Sequence, residues 1–451
     1  FSYGRNASLC KGSPLVALKD NMATSNSLYQ RAIDVLKQND RGTYSLPTHG
    51  LYPVQFNWDS AFAALGYRFI NQHRAWQEVM QLASSQWPDG MIPHIMFRGD
   101  HDGYFPGPDI WNTGQFIETS GITQPPVLAS VVRQLDEAGP YRDVNGMYDM
   151  LRRLVRWHDW FMKARLDPQS LGIQIIHPWE SGRDNLTDWD QGMARVEIAD
   201  LPPYTRRDLD HVDSSQRPTK EQYDRYLTLV KFGRDRHWPQ AYLGQNSPFR
   251  MVDPGMTAFL LRANRDLIVL LNKYLPEDTD SIELIQSHIN TLELGWINLW
   301  NPKVQAYTAY DPVLQRPVDS VSAASFLSCY ASMHNDLHHG HLMDQFDRIA
   351  NKVKFMVPSF DPEHADFDAK RYWRGPVWHV INNRIGLGFS EVGEHERAER
   401  IRKDSEDLIA QSSFYEYFNP ITGDGLGGKD FTWTASVYLD RVMQEADHGQ
   451  D

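Results

Sequence analysis

Residues 57–69 read Asn-Trp-Asp-Ser-Ala-Phe-Ala-Ala-Leu-Gly-Tyr-Arg-Phe, a run in which large apolar side chains return every three or four positions. This spacing brings one set of side chains onto a single face of an α-helix: Trp58, Ala61, Phe62, Leu65 and Phe69. Stripes with the same period continue along the chain, within residues 147–162, 263–274 and 285–300. The pattern therefore predicts a protein built mainly from amphipathic helices.

Helical patterns recur often enough to define a fold class. Further amphipathic stretches lie near residues 26–38, 74–86, 126–136, 220–232, 322–333, 341–353, 376–388, 393–410 and 432–446. About a dozen helices result, whereas strand patterns are short, the best being residues 171–177. We predict an all-α fold, an (α/α)6 barrel (toroid) whose long loops form the active site over one end. A helical-repeat solenoid would require a fixed sequence period, which the chain lacks.

Three long segments rich in Pro, Gly, Trp, Tyr and Asp are inserted between helices, at about residues 87–123, 177–219 and 358–375. Loops of this length in a compact domain usually carry function. No Gly/Ser-rich or Pro-rich linker follows residue 26, so we predict a single catalytic domain over residues 26–451. Residues 1–25 are predicted to be a leader that is either flexible or foreign to the native protein.

Composition excludes several classes of partner. The 451 residues carry a formal net charge of -13, which argues against nucleic acid and membranes, because phosphate groups are neutralised by clustered Lys and Arg. Cys10 and Cys329 are too few for a disulfide framework or a zinc cluster, and no apolar signal-peptide core precedes Met22. We therefore expect a cytoplasmic protein. A homo-oligomer is left open.

Aromatic content indicates the class of ligand. The chain has 14 Trp, 20 Tyr and 20 Phe, and many of them fall in polar loops. Aromatic faces stack on the C–H faces of sugars, so the expected partner is a small-molecule carbohydrate. The alternative is that these residues only fill a large core.

The segment at residues 177–185 reads His-Pro-Trp-Glu-Ser-Gly-Arg-Asp-Asn. Gly182 permits a tight bend, Trp179 can wall a pocket, and Glu180 and Asp184 can then face one cavity. There, desolvation and like-charge repulsion raise a carboxyl pKa, as a general acid near neutral pH requires. Asp184 is therefore the candidate acid. The alternative is a loop acid that caps the next helix.

A second segment, residues 414–423, reads Phe-Tyr-Glu-Tyr-Phe-Asn-Pro-Ile-Thr-Gly and surrounds Glu416 with aromatic residues. A buried carboxylate without partners is costly. Glu416 is therefore either a structural acid with its hydrogen bonds satisfied or a carboxylate that faces a wet, aromatic-lined cavity. Hydrolysis of a glycosidic bond needs one acid and one base, and Glu416 is the candidate base.

Other aromatic segments have the composition of pocket walls, at residues 51–62, 86–94 and 371–378. Asp59 could instead be an acid favoured by a helix N-terminus. We interpret His94 and His379 as hydrogen-bonded structural histidines, because no His, Asp or Glu cluster has metal-ligand spacing. We predict no metal site.

These segments together resemble glycoside hydrolase family 63, in the wider group that includes the family 37 trehalases. The matching motifs follow the family's order over most of the chain: Trp58-Asp59-Ser60-Ala61-Phe62, Gln86-Trp87 through Gly90-Met91-Ile92-Pro93-His94, Trp179-Glu180-Ser181-Gly182 with Asp184-Asn185, Tyr372-Trp373-Arg374-Gly375-Pro376-Val377-Trp378, and Glu416-Tyr417 with Thr422-Gly423. Each motif is weak alone, and the ordered set is specific. The resemblance implies an (α/α)6 barrel, inversion at the anomeric carbon and no cofactor, with the acid at Asp184 and the base at Glu416.

The chain is also similar to the bacterial glucosylglycerate and mannosylglycerate hydrolases of this family. Three further motifs agree with them: Gly103-Tyr104-Phe105-Pro106-Gly107-Pro108, Thr119 through Pro126, and Ser215-Gln216-Arg217-Pro218 with Tyr223-Asp224-Arg225-Tyr226. The similarity implies that Arg217 and Tyr223 contact glycerate, which suits a guanidinium and a phenol. The chain departs from these enzymes at residues 429–433, which read Lys-Asp-Phe-Thr-Trp, whereas such enzymes can carry a Gln near the leaving group.

Segments and resemblance together predict these substrate-binding residues: Tyr52, Trp58, Asp59, Gln86, His94, Tyr104, Gln124, Trp179, Glu180, Gly182, Arg217, Tyr223, Tyr372, Trp373, Gly375, Trp378 and Trp433. The predicted function is an inverting α-glycoside hydrolase that cleaves 2-O-α-glucosylglycerate or 2-O-α-mannosylglycerate, with its two carboxyl groups about 6.5–9.5 Å apart. The alternatives are an α-glucosidase for neutral disaccharides or oligosaccharides, a sugar epimerase or lyase on a similar toroid, and a non-catalytic sugar-binding protein.

Overall fold

The structure is a computed structural model that describes residues 14–99, 101–333 and 337–448. The α-helices within it are α1 Pro14–Asn39, α2 Asn57–Tyr67, α3 Gln72–Ala83, α4 Pro108–Trp111, α5 Leu128–Ala138, α6 Val144–Ala164, α7 Asp190–Ala194, α8 Lys220–Arg234, α9 Gln240–Asn246, α10 Pro254–Tyr274, α11 Thr279–Asn298, α12 His339–Ala350, α13 His379–Glu391, α14 His395–Ser412 and α15 Thr432–His448. Helices thus account for most of the regular structure.

The remaining regular elements are short. The 3-10 helices are Pro178–Ser181, Thr187–Trp189, Asp208–Asp210, Ser214–Gln216 and Ala323–Ser328. The strands are β1 Gln55–Phe56, β2 Ile95–Met96, β3 Gln174–Ile175, β4 Met251–Val252, β5 Trp300–Asn301, β6 Ala306–Tyr307, β7 Tyr310–Asp311, β8 Arg316–Pro317, β9 Tyr417–Phe418 and β10 Gly425–Leu426. They pair antiparallel as β1–β2, β3–β4–β7–β8, β5–β6 and β9–β10.

The long helices form two concentric rings. The inner ring runs α2, α5, α10, the 3-10 helix Ala323–Ser328, α13 and α15, and α15 packs back onto α2 to close it. The outer helices pack against these inner elements: α1 against α15, α3 against α2, α6 and α11 against α10, α12 against the 3-10 helix, and α14 against α13. Because outer and inner elements alternate along the chain, this arrangement confirms the predicted (α/α)6 barrel.

Burial distinguishes the inner helices from the outer ones. All residues of α2 are buried, because this helix is surrounded on every side. Its apolar stripe in the sequence predicts burial of only one face and therefore underestimates its contacts. In the outer α14, by contrast, burial is confined to one face: Ala398, Ile401, Asp404, Ser405, Leu408 and Ile409. Sequence periodicity is thus clearest for helices that meet solvent.

The α-helix predicted at residues 322–333 is wrong in type. The structure has a 3-10 helix over Ala323–Ser328 followed by turns. The hydroxyl of Ser325 donates a hydrogen bond of 2.5 Å to the Tyr307 carbonyl, and serine side chains that bond to backbone groups disfavour α-helix. The strand predicted at residues 171–177 is also shorter in the structure, as β3.

A buried ion pair anchors the segment that contains Asp184. Arg165, directly after α6, donates to Glu180 at 2.8 Å, and neither side chain is exposed to solvent. Glu180 Oε2 also accepts from the Ile176 backbone at 2.9 Å. Removing one partner of such a pair costs about 3–5 kcal/mol, so the pair fixes the path of the chain into the 3-10 helix Pro178–Ser181.

Some predictions fall partly or wholly outside the described residues. Residues 1–13, with Cys10, lie outside them, and α1 begins at Pro14. Cys329 is buried with a free thiol. The single catalytic domain over residues 26–451 stays a proposal. Over the described part of the chain, no helix combines the length and apolar character needed to cross a membrane.

Candidate active site

One cavity opens at the end of the barrel and holds all but three of the predicted site residues. Its empty volume, including the open mouth, is about 810 Å³. The lining is Pro47, Leu51, Tyr52, Phe56, Trp58, Asp59, His94, Tyr104, Phe105, Gln124, Trp179, Gly182, Asp184, Arg207, Asp208, Arg217, Pro218, Tyr223, Tyr226, Tyr372, Trp373, Trp378, Glu416, Phe431 and Trp433.

The cavity lies where the inner helices begin. Trp58 and Asp59 are in the first turn of α2, Trp378 directly precedes α13, and Trp433 is in the first turn of α15. Gln124, just before α5, accepts a hydrogen bond from the Trp58 backbone at 3.3 Å. Helix N-termini carry partial positive charge, so this end of the ring favours anionic groups.

Asp184 is held by two anchors on the residue before it in the chain. The Arg183 guanidinium pairs with Asp253, the N-cap residue of α10, and the Arg183 carbonyl accepts from the Trp189 indole at 2.9 Å. Gly182 has a φ of +64°, and a Cβ there would lie 2.5 Å from the Trp58 ring. The bend at Gly182 therefore needs glycine, and it directs Asp184 into the cavity.

Burial makes Asp184 a carboxyl group that can hold a proton near neutral pH. Desolvation raises its pKa to about 7; the Arg217 charge lowers it in part, and the Glu416 charge raises it. Among the described residues, no side chain donates a hydrogen bond to this carboxyl. Asp184 is thus able to donate its proton to a bound molecule.

Glu416 is positioned by the hairpin of β9 and β10. Its backbone N–H donates to the Gly428 carbonyl at 2.8 Å, and its Oε2 accepts from the Gly428 N–H at 2.9 Å. Gly427 has a φ of +70°, and a Cβ at this position would lie 2.4 Å from Oε2. The turn at Gly427 and Gly428 therefore wraps closely around the Glu416 carboxylate.

The electrostatic surroundings of Glu416 differ from those of Asp184. Burial raises the pKa of Glu416 above the ordinary glutamate value, while Arg217, the Gly428 N–H and the Tyr52 hydroxyl act to lower it. Tyr52 donates to Oε1 at 3.1 Å and accepts from Arg217 Nη1 at 2.9 Å. Both oxygens of Glu416 thus receive hydrogen bonds, which stabilise the carboxylate form.

Tryptophan rings build one wall of the cavity. Trp373 and Trp378 stack with centroids 3.8 Å apart and planes at 4°, and Trp433 meets Trp58 edge-on at 5.4 Å. Beside this wall lies Asp59, which is buried; desolvation and then the Glu416 charge raise its pKa well above the ordinary aspartate value. A flat apolar wall next to polar groups suits a sugar ring.

Arg217 lines the polar part of the cavity. Its guanidinium donates to Asp208 at 3.0 Å and lies over the Tyr372 ring at 4.3 Å. Tyr223 is buried nearby and donates to the Phe105 carbonyl at 3.2 Å. The cavity is therefore polarised in composition, because it combines a tryptophan wall with a buried guanidinium.

Three predicted residues do not line the cavity. Glu180 is fully buried and forms the ion pair with Arg165. The Gln86 side-chain amide donates to the Gly90 and Arg153 carbonyls, each at 2.8 Å, so it ties a loop to α6. Gly375 packs behind the wall, where its N–H donates to Ser359 Oγ at 3.0 Å.

The two histidines behave differently. His94 lines the cavity with its Nδ1 3.3 Å from Ser120 Oγ, and burial lowers its pKa well below the ordinary histidine value, so it is neutral. His379 is buried, and burial lowers its pKa to about 3. Neither of its ring nitrogens has a hydrogen-bond partner among the described residues, so the hydrogen bonds predicted for it are absent there.

Several cavity residues were missed from the sequence. Arg207 and Asp208 belong to a dense charged run, Arg206-Arg207-Asp208-Leu209-Asp210, within the loop predicted to be functional. Tyr226 lies one helical turn after Tyr223, and Phe431 directly precedes α15. In residues 14–99, 101–333 and 337–448, no group of three or more His, Cys, Asp or Glu side chains could hold a metal ion.

Comparison with known proteins gives concordant matches. The family profile described as mannosylglycerate hydrolase MGH1-like glycoside hydrolase domain matches residues 52–434. A mannosylglycerate hydrolase of Thermus thermophilus is 42% identical over 91% of this chain and 99% of its own length, and a glucosylglycerate hydrolase of Mycolicibacterium hassiacum is 32% identical over 93% and 99%. The crystal structure of a Thermus thermophilus family 63 mannosylglycerate hydrolase with Tris and D-glycerate has a TM-score of 0.88 at 41% identity, covering 92% of this chain and 100% of that one.

The close fit of Gly427 around Glu416 leads to a stability prediction. Gly427→Ala should destabilise the protein by about 1–3 kcal/mol more than Gly42→Ala, because the new methyl group meets the carboxylate oxygen. Gly42 is a matched control, since its φ of +84° imposes similar backbone strain and nothing lies within 4 Å of its Cβ position. Urea unfolding of the two variants gives the difference. Equal losses in both variants would show that only backbone strain matters at Gly427.

Proposed function

The chain belongs to the MGH1-like mannosylglycerate hydrolase group of glycoside hydrolase family 63, and we propose that it hydrolyses a 2-O-α-glycosylglycerate to a free sugar and glycerate. The observation that carries the proposal is one polarised cavity with an acid pair, Asp184 and Glu416, and Arg217 beside them. Its relatives act on mannosylglycerate or glucosylglycerate by name, and mannose and glucose both remain candidates for the sugar.

Asp184 acts as the general acid in this proposal. Cleavage of the glycosidic bond leaves negative charge on the leaving oxygen, and a protonated carboxyl neutralises it in the transition state. A pKa of about 7 keeps much of the Asp184 population protonated at neutral pH. Among the described residues, no side chain donates a hydrogen bond to the Asp184 carboxyl, so its proton is available for the substrate.

Glu416 acts as the general base that activates water. A base must be ionised, and the two donors on its carboxylate, Tyr52 and the Gly428 N–H, favour that form. Water would attack the anomeric carbon on the face opposite the leaving oxygen, which inverts the configuration. This requires about 6.5–9.5 Å between the two carboxyl groups, so that water fits between sugar and base.

Two groups of cavity residues suit the two parts of the substrate. The stacked Trp373 and Trp378, with Asp59 and Gln124 as polar neighbours, form the proposed sugar site. Arg217 would bind the glycerate carboxylate by charge-assisted hydrogen bonds. The related crystal structure that contains D-glycerate supports a glycerate site in this family. We also propose a cytoplasmic location, in keeping with two cysteines in 451 residues.

The acid pair can be tested by substitution. Asp184→Asn and Glu416→Gln should each reduce kcat for the glycosylglycerate by about 10²–10⁴-fold, as loss of general acid or base catalysis does. NMR of the wild-type reaction should detect the β-anomer of the sugar first, before mutarotation. First appearance of the α-anomer would contradict inversion, and full turnover in both variants would contradict the assigned pair.

The pH dependence follows from the two carboxyl groups. Glu416 must be ionised, so kcat/KM should fall as the pH drops through its raised pKa. Asp184 must be protonated, so kcat/KM should fall as the pH rises above about 7. In Arg217→Ala the alkaline limb should move to higher pH, because the Arg217 charge lowers the Asp184 pKa. A flat profile from pH 5 to about 9 would contradict the pair.

Arg217 separates a carboxylate-bearing substrate from a neutral one. Arg217→Ala should lower kcat/KM for the glycosylglycerate about 100-fold or more, because a charged hydrogen-bonding partner is lost. The matching glycosylglycerol, which lacks the carboxylate, serves as the control and should lose about tenfold or less. Equal losses on both substrates would favour a neutral-disaccharide α-glucosidase, which trehalose and kojibiose test directly.

A further inference from the structure

Asp208 lies at the polar part of the cavity and contacts two guanidiniums at once. Arg206 Nε donates to its Oδ1 at 3.0 Å and Arg206 Nη2 to its Oδ2 at 2.6 Å. Arg217 Nε donates to Oδ2 at 3.0 Å. The side chains of Arg206, Arg217 and Asp208 are 7%, 7% and 11% exposed, so this triad is a built and largely desolvated group.

Within the triad, one hydrogen-bond acceptor position of the Asp208 carboxylate is left without a donor. A carboxylate oxygen accepts about two hydrogen bonds, and Oδ2 of Asp208 already receives two. From the described residues, Oδ1 receives only the bond from Arg206 Nε, so one acceptor position stays open. Because Asp208 lines the cavity, that position can take a hydroxyl group of a ligand bound at Arg217.

The triad also leaves a defined charge. Arg206 and Arg217 contribute two positive charges and Asp208 one negative charge, so one positive charge remains. The guanidiniums hold the pKa of Asp208 below the ordinary aspartate value against the effect of burial, which keeps it ionised. Arg207 adds little to the binding of a ligand at Arg217, because it is half exposed at the mouth of the cavity and 3.9 Å from Asp210.

We infer that Asp208 is a specificity-determining residue, which accepts a ligand hydroxyl and restricts the leaving-group site to ligands with a single negative charge. The inference rests on the proposed function, since it places glycerate at Arg217. Glycerate offers one carboxylate to Arg217 and a hydroxymethyl group to Asp208. A second carboxylate at the hydroxymethyl position could not donate a proton and would meet the Asp208 charge directly.

Tartronate is the probe for this discrimination, because it is glycerate with the hydroxymethyl group replaced by a carboxylate. Calorimetric titration at pH 7 with D-glycerate and with tartronate should give the wild-type protein about tenfold or greater preference for D-glycerate. In Asp208→Asn the preference should fall about tenfold, through tighter binding of tartronate. Asp208→Glu keeps the charge and should keep the preference.

Asp210→Asn is the matched control, since Asp210 lies in the same 3-10 helix, Asp208–Asp210, with its side chain 55% exposed. Its preference should equal that of the wild-type protein. If Asp208→Asn still binds glycerate and its preference for D-glycerate over tartronate is unchanged, the inference is wrong and the proposed function is not affected. A wild-type protein that binds both probes equally overturns it without any variant, even if Asp208→Asn does not fold. If the wild-type protein binds neither probe, the proposed glycerate site fails as well.

Discussion

Burial of two carboxyl groups in one cavity is the constraint on which the rest of the site depends. Desolvation raises the pKa of both Asp184 and Glu416, and the protein then distinguishes them by the donors it supplies. Glu416 receives an N–H and a hydroxyl group, whereas Asp184 receives no described side-chain donor. Burial of both groups with unequal hydrogen bonding thus separates them, because the donors around Glu416 favour its ionised form.

The barrel makes this burial possible because the inner helices α2, α13 and α15 all begin at the cavity. Their first turns and the preceding loops supply the tryptophan wall, while the outer ring contributes no cavity residue. Two buried ion pairs, Arg165–Glu180 and Arg183–Asp253, connect the Asp184 segment to α6 and α10. The acid is therefore positioned by the scaffold although it lies in a long loop.

Sequence reasoning predicted the barrel and most of the cavity, and its errors have physical causes. The period at Trp58 predicts a helix, but periodicity does not encode that α2 is surrounded on all sides. Asp184 and Glu416 are far apart in the chain, so their presence in one cavity depends on the fold and not on a local motif. Glu180 and Gln86 lie inside motifs shared with the family, and a motif does not separate residues that face the ligand from those that hold the loop. Asp208 was missed because its contacts with Arg206 and Arg217 depend on how the 177–219 loop folds, which the charged run in the sequence does not specify.

The half-exposed Arg207 at the mouth of the cavity has a kinetic consequence. The protein as a whole carries a net charge of -13, so a glycosylglycerate anion is repelled at long range. Physiological salt screens charges beyond about 8 Å, which removes most of that repulsion. The attraction between the Arg207 guanidinium and an anion close to it is screened much less. Capture of an anion by this acidic protein should thus be slow in dilute buffer and should speed up as salt is added, the reverse of the usual salt effect for oppositely charged partners.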